Sequence, residues 1–224
     1  MREIVLDTET TGLDPNGGDR IVEIGCVELI NHVSTGVTFQ KYINPQRDMP
    51  ESAFKIHGLS NAFLSDKPIF SKVAQEIQDF LGQDKLVIHN AAFDTSFLNA
   101  EFKRLGFLTL SVDRLIDTLA LARQKYPGSQ ASLDALCRRF GINTEQRVLH
   151  GALLDASLLA EVYLELIGGR QPTLTLNRKK SVATISEVIT KTRIKPVRLY
   201  RPTEEESIAH KKFIDQLNKP IWHS

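Results

Sequence analysis

The sequence is poor in several residue types, and each shortage excludes a class of protein. Cys26 and Cys137 are the two cysteines among 224 residues, so a disulfide framework or a cysteine-rich zinc cluster is excluded. No apolar run approaches the roughly 18 residues that a membrane-spanning helix needs. The amino-terminal segment carries acids where a signal peptide would be apolar. We therefore expect a cytoplasmic protein without a membrane anchor, with both cysteines in its core.

Positive charge is also scarce in the first three quarters of the chain. Residues 1–167 hold 16 Lys and Arg against 22 Asp and Glu, whereas residues 168–224 hold 12 against 5. Such an asymmetry indicates a body and a functionally distinct tail. The hydrophobic fraction of 42% is enough for one sizeable core. We predict a body over 1–167, a flexible linker over 168–181 and a tail over 182–224.

The body alternates strand-like and helix-like patterns. Short connections join the first three predicted strands, so antiparallel neighbours are expected there. Asn90 is predicted to cap a helix, and glycines end several others. Predicted strands cover residues 3–8, 20–30, 37–44, 86–89 and 111–113. Predicted helices cover residues 68–81, 91–105, 117–124, 132–140 and about 152–167, and a capping box at Thr203 predicts one more in the tail.

Two acids stand at the end of the first predicted strand. Asp7 and Glu9 lie two residues apart, so the period of a strand places both side chains on one face. The apolar residues 4–6 indicate a central strand, where neighbouring carboxylates repel each other. A solvated strand end is the simpler interpretation of this pair alone. A bound cation is the interpretation that removes the repulsion.

Three more polar residues stand near predicted helix starts. Asp94 falls in the first turn after Asn90, where an acid commonly does no more than favour the helix dipole. His150 and Asp155 are five residues apart, which on one helix is about 140° out of phase. They can share a cleft if His150 lies on the preceding loop, flexed by Gly151. Taken singly, a surface histidine and a helix-start acid are the simpler interpretations.

Together, these residues favour metal-dependent chemistry. They are expected where strands end and helices begin, the edge at which an open α/β sheet gathers its ligands. Oxygen-only ligands select Mg²⁺ or Mn²⁺ over zinc. Acids that hold two such ions about 3.5–4 Å apart carry out phosphodiester displacement. The candidate set is Asp7, Glu9, Asp94 and Asp155 with His150.

Three motifs in this order resemble the DEDD exonucleases, in the subclass with a histidine base. They are D-x-E-T-T-G from Asp7, N-x-x-F-D from Asn90 and H-x-A-x-x-D from His150, and the likeness covers about residues 3–167. The resemblance implies a ribonuclease H-like α/β fold, a five-stranded mixed sheet with helices on both faces. Within the family, the chain is most similar to the proofreading 3′–5′ exonucleases of bacterial DNA polymerase III.

The resemblance also implies a role for each motif residue. Two divalent cations, Mg²⁺ or Mn²⁺, would be held by Asp7, Glu9, Asp94 and Asp155. His150 would take the proton from the attacking water, and a nucleoside 5′-monophosphate would leave the 3′ end.

The same resemblance implies contacts to the DNA 3′ end. Asp7, Glu9 and Asp155 would lie against the terminal phosphodiester. His57 would contact the terminal nucleotide, and Thr10 and Thr11 would border its sugar. Ser52 stands where the family often has a glutamate, and we expect a polar contact there. Glu23 is expected to be a structural partner rather than a ligand.

The tail contains two candidate partner segments. Residues 171–176 resemble the short motifs with which replication proteins bind the sliding clamp, through Gln171, Leu174 and Leu176; ordinary linker sequence is the alternative. The distal part resembles the region that holds such exonucleases to the polymerase catalytic subunit. Trp222 would bind that partner's surface.

Three functions remain open from sequence alone. The preferred one is a proofreading DNA exonuclease within a polymerase holoenzyme. A stand-alone exonuclease of the same family, acting on short RNA or tRNA ends, has the same site, but it has no need of a 57-residue tail. The third function is that of a docking module without catalytic activity. The presence of all five expected catalytic residues argues against it.

Overall fold

A computed structural model describes residues 1–145, 147, 149–168 and 202–216. The chain divides into two compact units, Met1–Thr175 and Leu176–Ser224. The strands of the first unit are β1 (Arg2–Thr10), β2 (Ile21–Ile30), β3 (Val33–Tyr42), β4 (Lys85–Ile88) and β5 (Leu115–Asp117). Its helices are α1 (Glu51–His57), α2 (Asn61–Ser65), α3 (Phe70–Leu81), α4 (Ala91–Arg104), α5 (Thr118–Lys125), α6 (Leu133–Phe140) and α7 (Ala152–Leu166). The second unit contains α8 (Glu204–Ile214).

The sheet is mixed, and β1 lies at its centre. The strand order is β3-β2-β1-β4-β5. β1 and β3 each pair with β2 in antiparallel fashion, whereas β4 is parallel to both β1 and β5. The parallel strands therefore end at the same edge of the sheet, the edge that the sequence predicted for the site. The predicted five-stranded mixed sheet is confirmed.

Alternating residues of β1 supply two separate parts of the core. Ile4 and Leu6 belong to the cluster formed with α3 and α4 on one face. Val5 belongs to the cluster formed with α5, α6 and α7 on the other. Because both faces are covered, the strand is apolar without alternation until its polar end. Cys26 and Cys137 are buried free thiols, as predicted.

Helix α7 approaches the sheet closely at Gly25. This glycine pairs with Asp7 in the β1–β2 ladder. A Cβ placed on Gly25 would lie 2.2 Å from the backbone nitrogen of Leu153 and 2.3 Å from the carbonyl carbon of Ala152. Such an approach leaves no room for a side chain. The missing side chain thus allows the first turn of α7 to lie over the Asp7 end of the sheet.

Some elements differ from the sequence predictions. Strand β5 begins four residues later than predicted, because Val112–Arg114 form a 3₁₀ turn. Strand β3 begins at Val33 rather than at residue 37, and α1 and α2 are too short to show the periodicity that reveals a helix. Asn90 does precede α4, but it has φ 66° and makes no side-chain capping bond. Its backbone N–H instead donates to Asp117, at 3.2 Å.

The predicted tail helix is confirmed as α8. The side chain of Thr203 accepts from the backbone of Glu206, and the Glu206 side chain accepts from the backbone of Thr203. Across the residues that the structure describes, no helix is both long and apolar enough to cross a bilayer. The predicted partner contacts Gln171, Leu174, Leu176 and Trp222 lie outside the described residues.

Candidate active site

The predicted carboxylates converge at the carboxyl end of β1. Asp7 and Glu9 share the α7 face with Val5, and Asp155 lies buried in the first turn of α7. Asp94 reaches the same place from α4, on the opposite face of the sheet. Its Oδ1 accepts from the backbone nitrogen of Thr8 at 3.0 Å and from the Thr8 hydroxyl at 2.7 Å. The two faces of the sheet thus each contribute acids to one cluster.

His150 lies on the loop before α7, as its spacing from Asp155 required. Its Nδ1 is 3.2 Å from Oδ2 of Asp155, and its side chain is 45% exposed. Its backbone N–H donates to the carbonyl of Ile56 at 3.1 Å, which ties this loop to α1. Glu9, His150 and Asp155 offer metal-ligand atoms that all lie within 4.8 Å of one another. The imidazole therefore stands at the solvent side of the carboxylate cluster.

The positive charge of Arg147 only partly offsets the carboxylates of this cluster. Burial, and then the charges of Asp94, Glu9 and Asp155, raise the pKa of Asp7 well above its ordinary value. Burial and the nearby carboxylate of Asp155 raise the pKa of Glu9 to about 8. Burial raises the pKa of Asp94 to about 7, although hydrogen bonds from Thr8 oppose the change. Oxygen donors that raise one another's pKa in this way fit a site for hard divalent cations.

Arg147 contacts the cluster, and sequence reasoning did not find it. Its Nε lies 2.5 Å from Oδ1 of Asp155, and its Nη2 lies 2.6 Å from Oδ2. The same Nη2 is 2.8 Å from Nδ1 of His150, and Nη1 pairs with Asp134. The hydrogen bond with Asp155 raises the pKa of Arg147 above its usual value, so the guanidinium stays charged. The sequence feature that could have indicated it is an arginine three residues before the histidine motif, within an acidic part of the chain.

Glu23 fixes the start of α7. It pairs with Glu9 in the β1–β2 ladder and is buried. Its carboxylate accepts hydrogen bonds from the backbone N–H groups of Ala152 and Leu153, where no residue of the helix provides a side-chain cap. Gln40 donates to it at 2.8 Å. Glu23 is thus a structural partner, as expected from the sequence.

His57 and Ser52 lie at opposite ends of α1. His57 is buried, and its Nδ1 accepts from the backbone of Leu59 at 3.0 Å. Burial lowers the pKa of His57, and the neighbouring His150 acts in the same direction, while the Thr10 backbone opposes both. Ser52 is exposed and lies about 140° around the helix from His57. The structure therefore brings His57 to the cluster but leaves Ser52 facing solvent.

Thr10 and Thr11 belong to the turn that closes β1. The hydroxyl of Thr10 donates to the carbonyl of Gly12 at 2.6 Å. The hydroxyl of Thr11 donates to Asp19 at 3.1 Å and accepts from the backbone of Arg20 at 3.0 Å. Both side chains are buried and already hydrogen-bonded within the protein. If they border a sugar, as predicted, the contact would be made by the shape of this turn and by its backbone, not by free hydroxyl groups.

Comparisons with known proteins agree with this geometry. The exonuclease family RNase_T matches residues 4–163. The DNA polymerase III subunit epsilon of Rickettsia conorii is 49% identical over 228 residues, which span 99% of each chain. The structure of Exonuclease X in complex with 5′-overhanging duplex DNA matches with a TM-score of 0.59 and 28% identity, over 74% of this chain and 90% of that chain. The nuclease domain of 3′hExo, a DEDDh family member bound to rAMP, matches in fold with a TM-score of 0.64 and 20% identity, over 74% and 91% of the two chains.

These similarities confirm the resemblance to the DEDD exonucleases that the three motifs indicated. They also confirm the predicted ribonuclease H-like fold. Exonucleases of the DEDDh type use divalent metal ions. The chain therefore belongs to the exonuclease family and, within it, to the DNA polymerase III epsilon subunits, the proofreading exonucleases that the sequence predicted.

Proposed function

We propose that this chain hydrolyses the 3′-terminal phosphodiester of DNA as the proofreading exonuclease of a DNA polymerase III holoenzyme. The observation that carries the proposal is the convergence of four acids beside His150 at one edge of the sheet. The product is a nucleoside 5′-monophosphate. Nearly full-length similarity to named epsilon subunits supports this role over a stand-alone nuclease that acts on RNA ends.

The four carboxylates would hold two divalent cations, Mg²⁺ or Mn²⁺. Asp7, Glu9 and Asp155 would bind one ion, and Asp7 and Asp94 would serve the second. When bound, such ions lower the pKa of the attacking water and stabilise the charge of the transition state. The oxygen-only donor set, whose charge Arg147 offsets only in part, supports this assignment.

His150 would serve as the general base. Its exposed side chain gives it access to water, and histidine exchanges protons near neutral pH. Its Nδ1 faces Asp155 and Arg147, so Nε2 is the nitrogen left to receive the proton. His57, Thr10 and Thr11 would border the terminal nucleotide, and the buried turn that holds both threonines would keep that border rigid.

Partner contacts would lie in the tail. We assign residues 182–224, with Trp222, to the polymerase III catalytic (alpha) subunit. Residues 171–176, with Gln171, Leu174 and Leu176, are assigned to the sliding clamp. The similarity to epsilon subunits spans 99% of this chain, and so extends through the tail, which supports a shared partner. A replicative role implies work in the cytoplasm.

Removal of metal ions tests the catalytic proposal. We expect EDTA, or Asp7→Asn in the presence of Mn²⁺, to abolish release of mononucleotides from 5′-labelled single-stranded DNA. Asp66→Asn, at an exposed position on a surface loop, is the matched control and should keep full activity. Because Asp7 is repelled by its neighbours, Asp7→Asn should fold at least as stably as the wild type without metal. Undiminished nucleotide release in EDTA would contradict the two-metal assignment.

A further inference from the structure

Arg147 pairs with a candidate metal ligand, not with a remote structural acid. Its guanidinium contacts both oxygens of Asp155, at 2.5 and 2.6 Å. The two side chains are 8% and 4% exposed, so the pair is almost fully withdrawn from water. Burial of an unpaired carboxylate in such a place would be strongly destabilising. Arg147 therefore stabilises the buried carboxylate of Asp155 when no other cation is near.

The guanidinium also lies where a metal ion would compete with it. Its Nη2 is within 2.8 Å of both Asp155 and His150, which with Glu9 form the group of close metal-ligand atoms. A divalent ion held by Glu9 and Asp155 would need an oxygen that Arg147 already contacts. Two cations that share one carboxylate repel each other. Asp134, on the exposed side of α6, gives Arg147 a second acid to remain paired with.

We propose that Arg147 is the internal counter-cation of this site: it holds Asp155 and His150 in place before metal binds, and it yields part of its contact with Asp155 when an ion enters. Arg147 is thus a positioning residue whose charge opposes metal binding while it keeps the ligands assembled. The proposal rests on the proposed function, because it takes Glu9 and Asp155 as metal ligands.

The same contact constrains the base. A guanidinium carries hydrogen-bond donors only, so Nδ1 of His150 accepts from Nη2 of Arg147. In that arrangement the proton of a neutral imidazole lies on Nε2, the nitrogen that must receive a proton from water. Withdrawal of Nη2 lets the half-exposed ring give its Nε2 proton to solvent and take one from solvent at Nδ1. Nδ1 then donates to Asp155, 3.2 Å away, and Nε2 is the acceptor. Movement of Arg147 would therefore link metal entry to the readiness of His150.

Metal binding and metal-free stability test the proposal in the full-length chain. Arg147→Met removes the charge, and Arg147→Lys keeps the charge but loses the two-pronged contact. Arg20→Met is the matched control, because Arg20 makes a similar paired contact with the buried Glu101, at 2.5 and 2.9 Å, about two turns along α4 from Asp94. Mn²⁺ affinity is followed by electron paramagnetic resonance of the free ion, and Tm is measured in EDTA and in saturating Mn²⁺.

Arg147→Met should lower the Tm in EDTA by roughly 5–10 °C. It should also bind Mn²⁺ about tenfold more tightly than the wild type, because the competing cation is gone. Its gain in Tm from Mn²⁺ should therefore exceed the wild-type gain. Arg147→Lys should show a smaller change in the same direction, and it decides the question if the Met variant does not fold. Arg20→Met should lose stability with unchanged Mn²⁺ affinity.

Two results would overturn the proposal. A Mn²⁺ dissociation constant that rises about 10–100-fold in the Arg147 variants would mean that Arg147 only orients a ligand. Unchanged affinity, with the same Tm gain from Mn²⁺ as in the wild type, would mean a purely structural pair. Failure of the wild type itself to bind Mn²⁺ would instead contradict the proposed function.

Discussion

Glu9 is held in this fold at a pKa of about 8, mainly because it is buried and secondarily because Asp155 is near. An unfolded chain ionises the same group near its ordinary value of about 4.3. Between about pH 5 and pH 8 the folded protein therefore keeps a proton that the unfolded chain releases, and stability falls as the pH rises through this window. The direction is opposite to that of an acid with a lowered pKa.

We expect this effect to appear in the metal-free protein. In EDTA, the wild type should lose roughly 2–4 kcal/mol between pH 5 and pH 8 relative to Glu9→Gln, which has no proton to release at that position. Urea unfolding of both proteins at the two pH values measures the difference. Equal pH dependence in the two proteins would show that Glu9 ionises normally. Saturating Mn²⁺ should remove the difference, because the ion favours the charged carboxylate.

His150 lies close enough to Glu9 and Asp155 to be either a base or a metal ligand. Loss of a general base typically costs about 10²–10⁴-fold in rate. We expect His150→Ala to lower kcat by that amount while the Mn²⁺ dissociation constant stays within about twofold of the wild-type value, because oxygen ligands suffice for this ion. Single-turnover hydrolysis and Mn²⁺ titration separate the two roles. A loss of Mn²⁺ binding would make His150 a ligand and place the base elsewhere.

The sequence predicted the four acids and His150 as site residues, but it did not predict Arg147. Asp7, Glu9, Asp94 and Asp155 stand at strand ends and helix starts, positions that local patterns predict. The contact of Arg147 with Asp155 depends instead on the path of the loop before α7, and motif spacing does not predict that path. For Glu23 the sequence predicted a structural role but not the partners, since its hydrogen bonds to Ala152 and Leu153 join residues more than a hundred positions apart.

The start of α7 is the element on which the site depends most. It carries Asp155, follows His150 and is fixed by Glu23 and by the close approach at Gly25. Gly25→Ala would place a methyl carbon against the helix backbone, so the helix must move outward. We expect a loss of roughly 1–3 kcal/mol in stability. A displacement of Asp155 by even about 1 Å should lower kcat about 100-fold.

Gly151→Ala is the matched control for this prediction. It lies at the amino-terminal end of the same helix, has an extended backbone with φ −149°, and its added Cβ would meet nothing within 4 Å. Its stability should fall by no more than about 1 kcal/mol, because alanine is a poorer N-cap residue than glycine. Thermal unfolding and Mn²⁺-dependent nucleotide release compare the two variants. If Gly25→Ala were as stable and active as Gly151→Ala, the close approach would not position the site.

Periodic elements were predictable, and brief ones were not. Helix α3, strand β2 and helix α7 show apolar patterns long enough to be recognised, and all three occur near the predicted positions. Strand β5 has three residues and was placed too early. Its position follows from parallel pairing with β4, for example Val87 with Ile116, which is a contact rather than a local pattern. The sheet order likewise depends on such contacts.

The balance of charge changes sign between residues 1–167, the proposed catalytic body, and residues 168–224, which include the proposed tail. Residues 1–167 carry more acids than bases, although a protein that binds DNA by itself normally presents Lys and Arg to the phosphates. A partner that delivers the DNA end replaces intrinsic affinity with a high local concentration. For the basic residues that follow position 167 we therefore propose a role in assembly rather than in catalysis, in line with the proposed division of the chain.

Truncation after Gly168 tests this division. Both core clusters are built from residues between Ile4 and Leu166, so a chain that ends at Gly168 should keep its fold. It should still degrade single-stranded DNA from the 3′ end with Mn²⁺, but it should no longer co-purify with the polymerase catalytic subunit. As a control within the full-length chain, the double change Gln171→Ala and Leu174→Ala should weaken clamp binding and spare polymerase binding. Size-exclusion chromatography with each purified partner measures both associations. If the truncated chain unfolds, the boundary lies further along, and if it binds the polymerase as tightly as the full-length chain, the contact belongs to the body and the tail has another role.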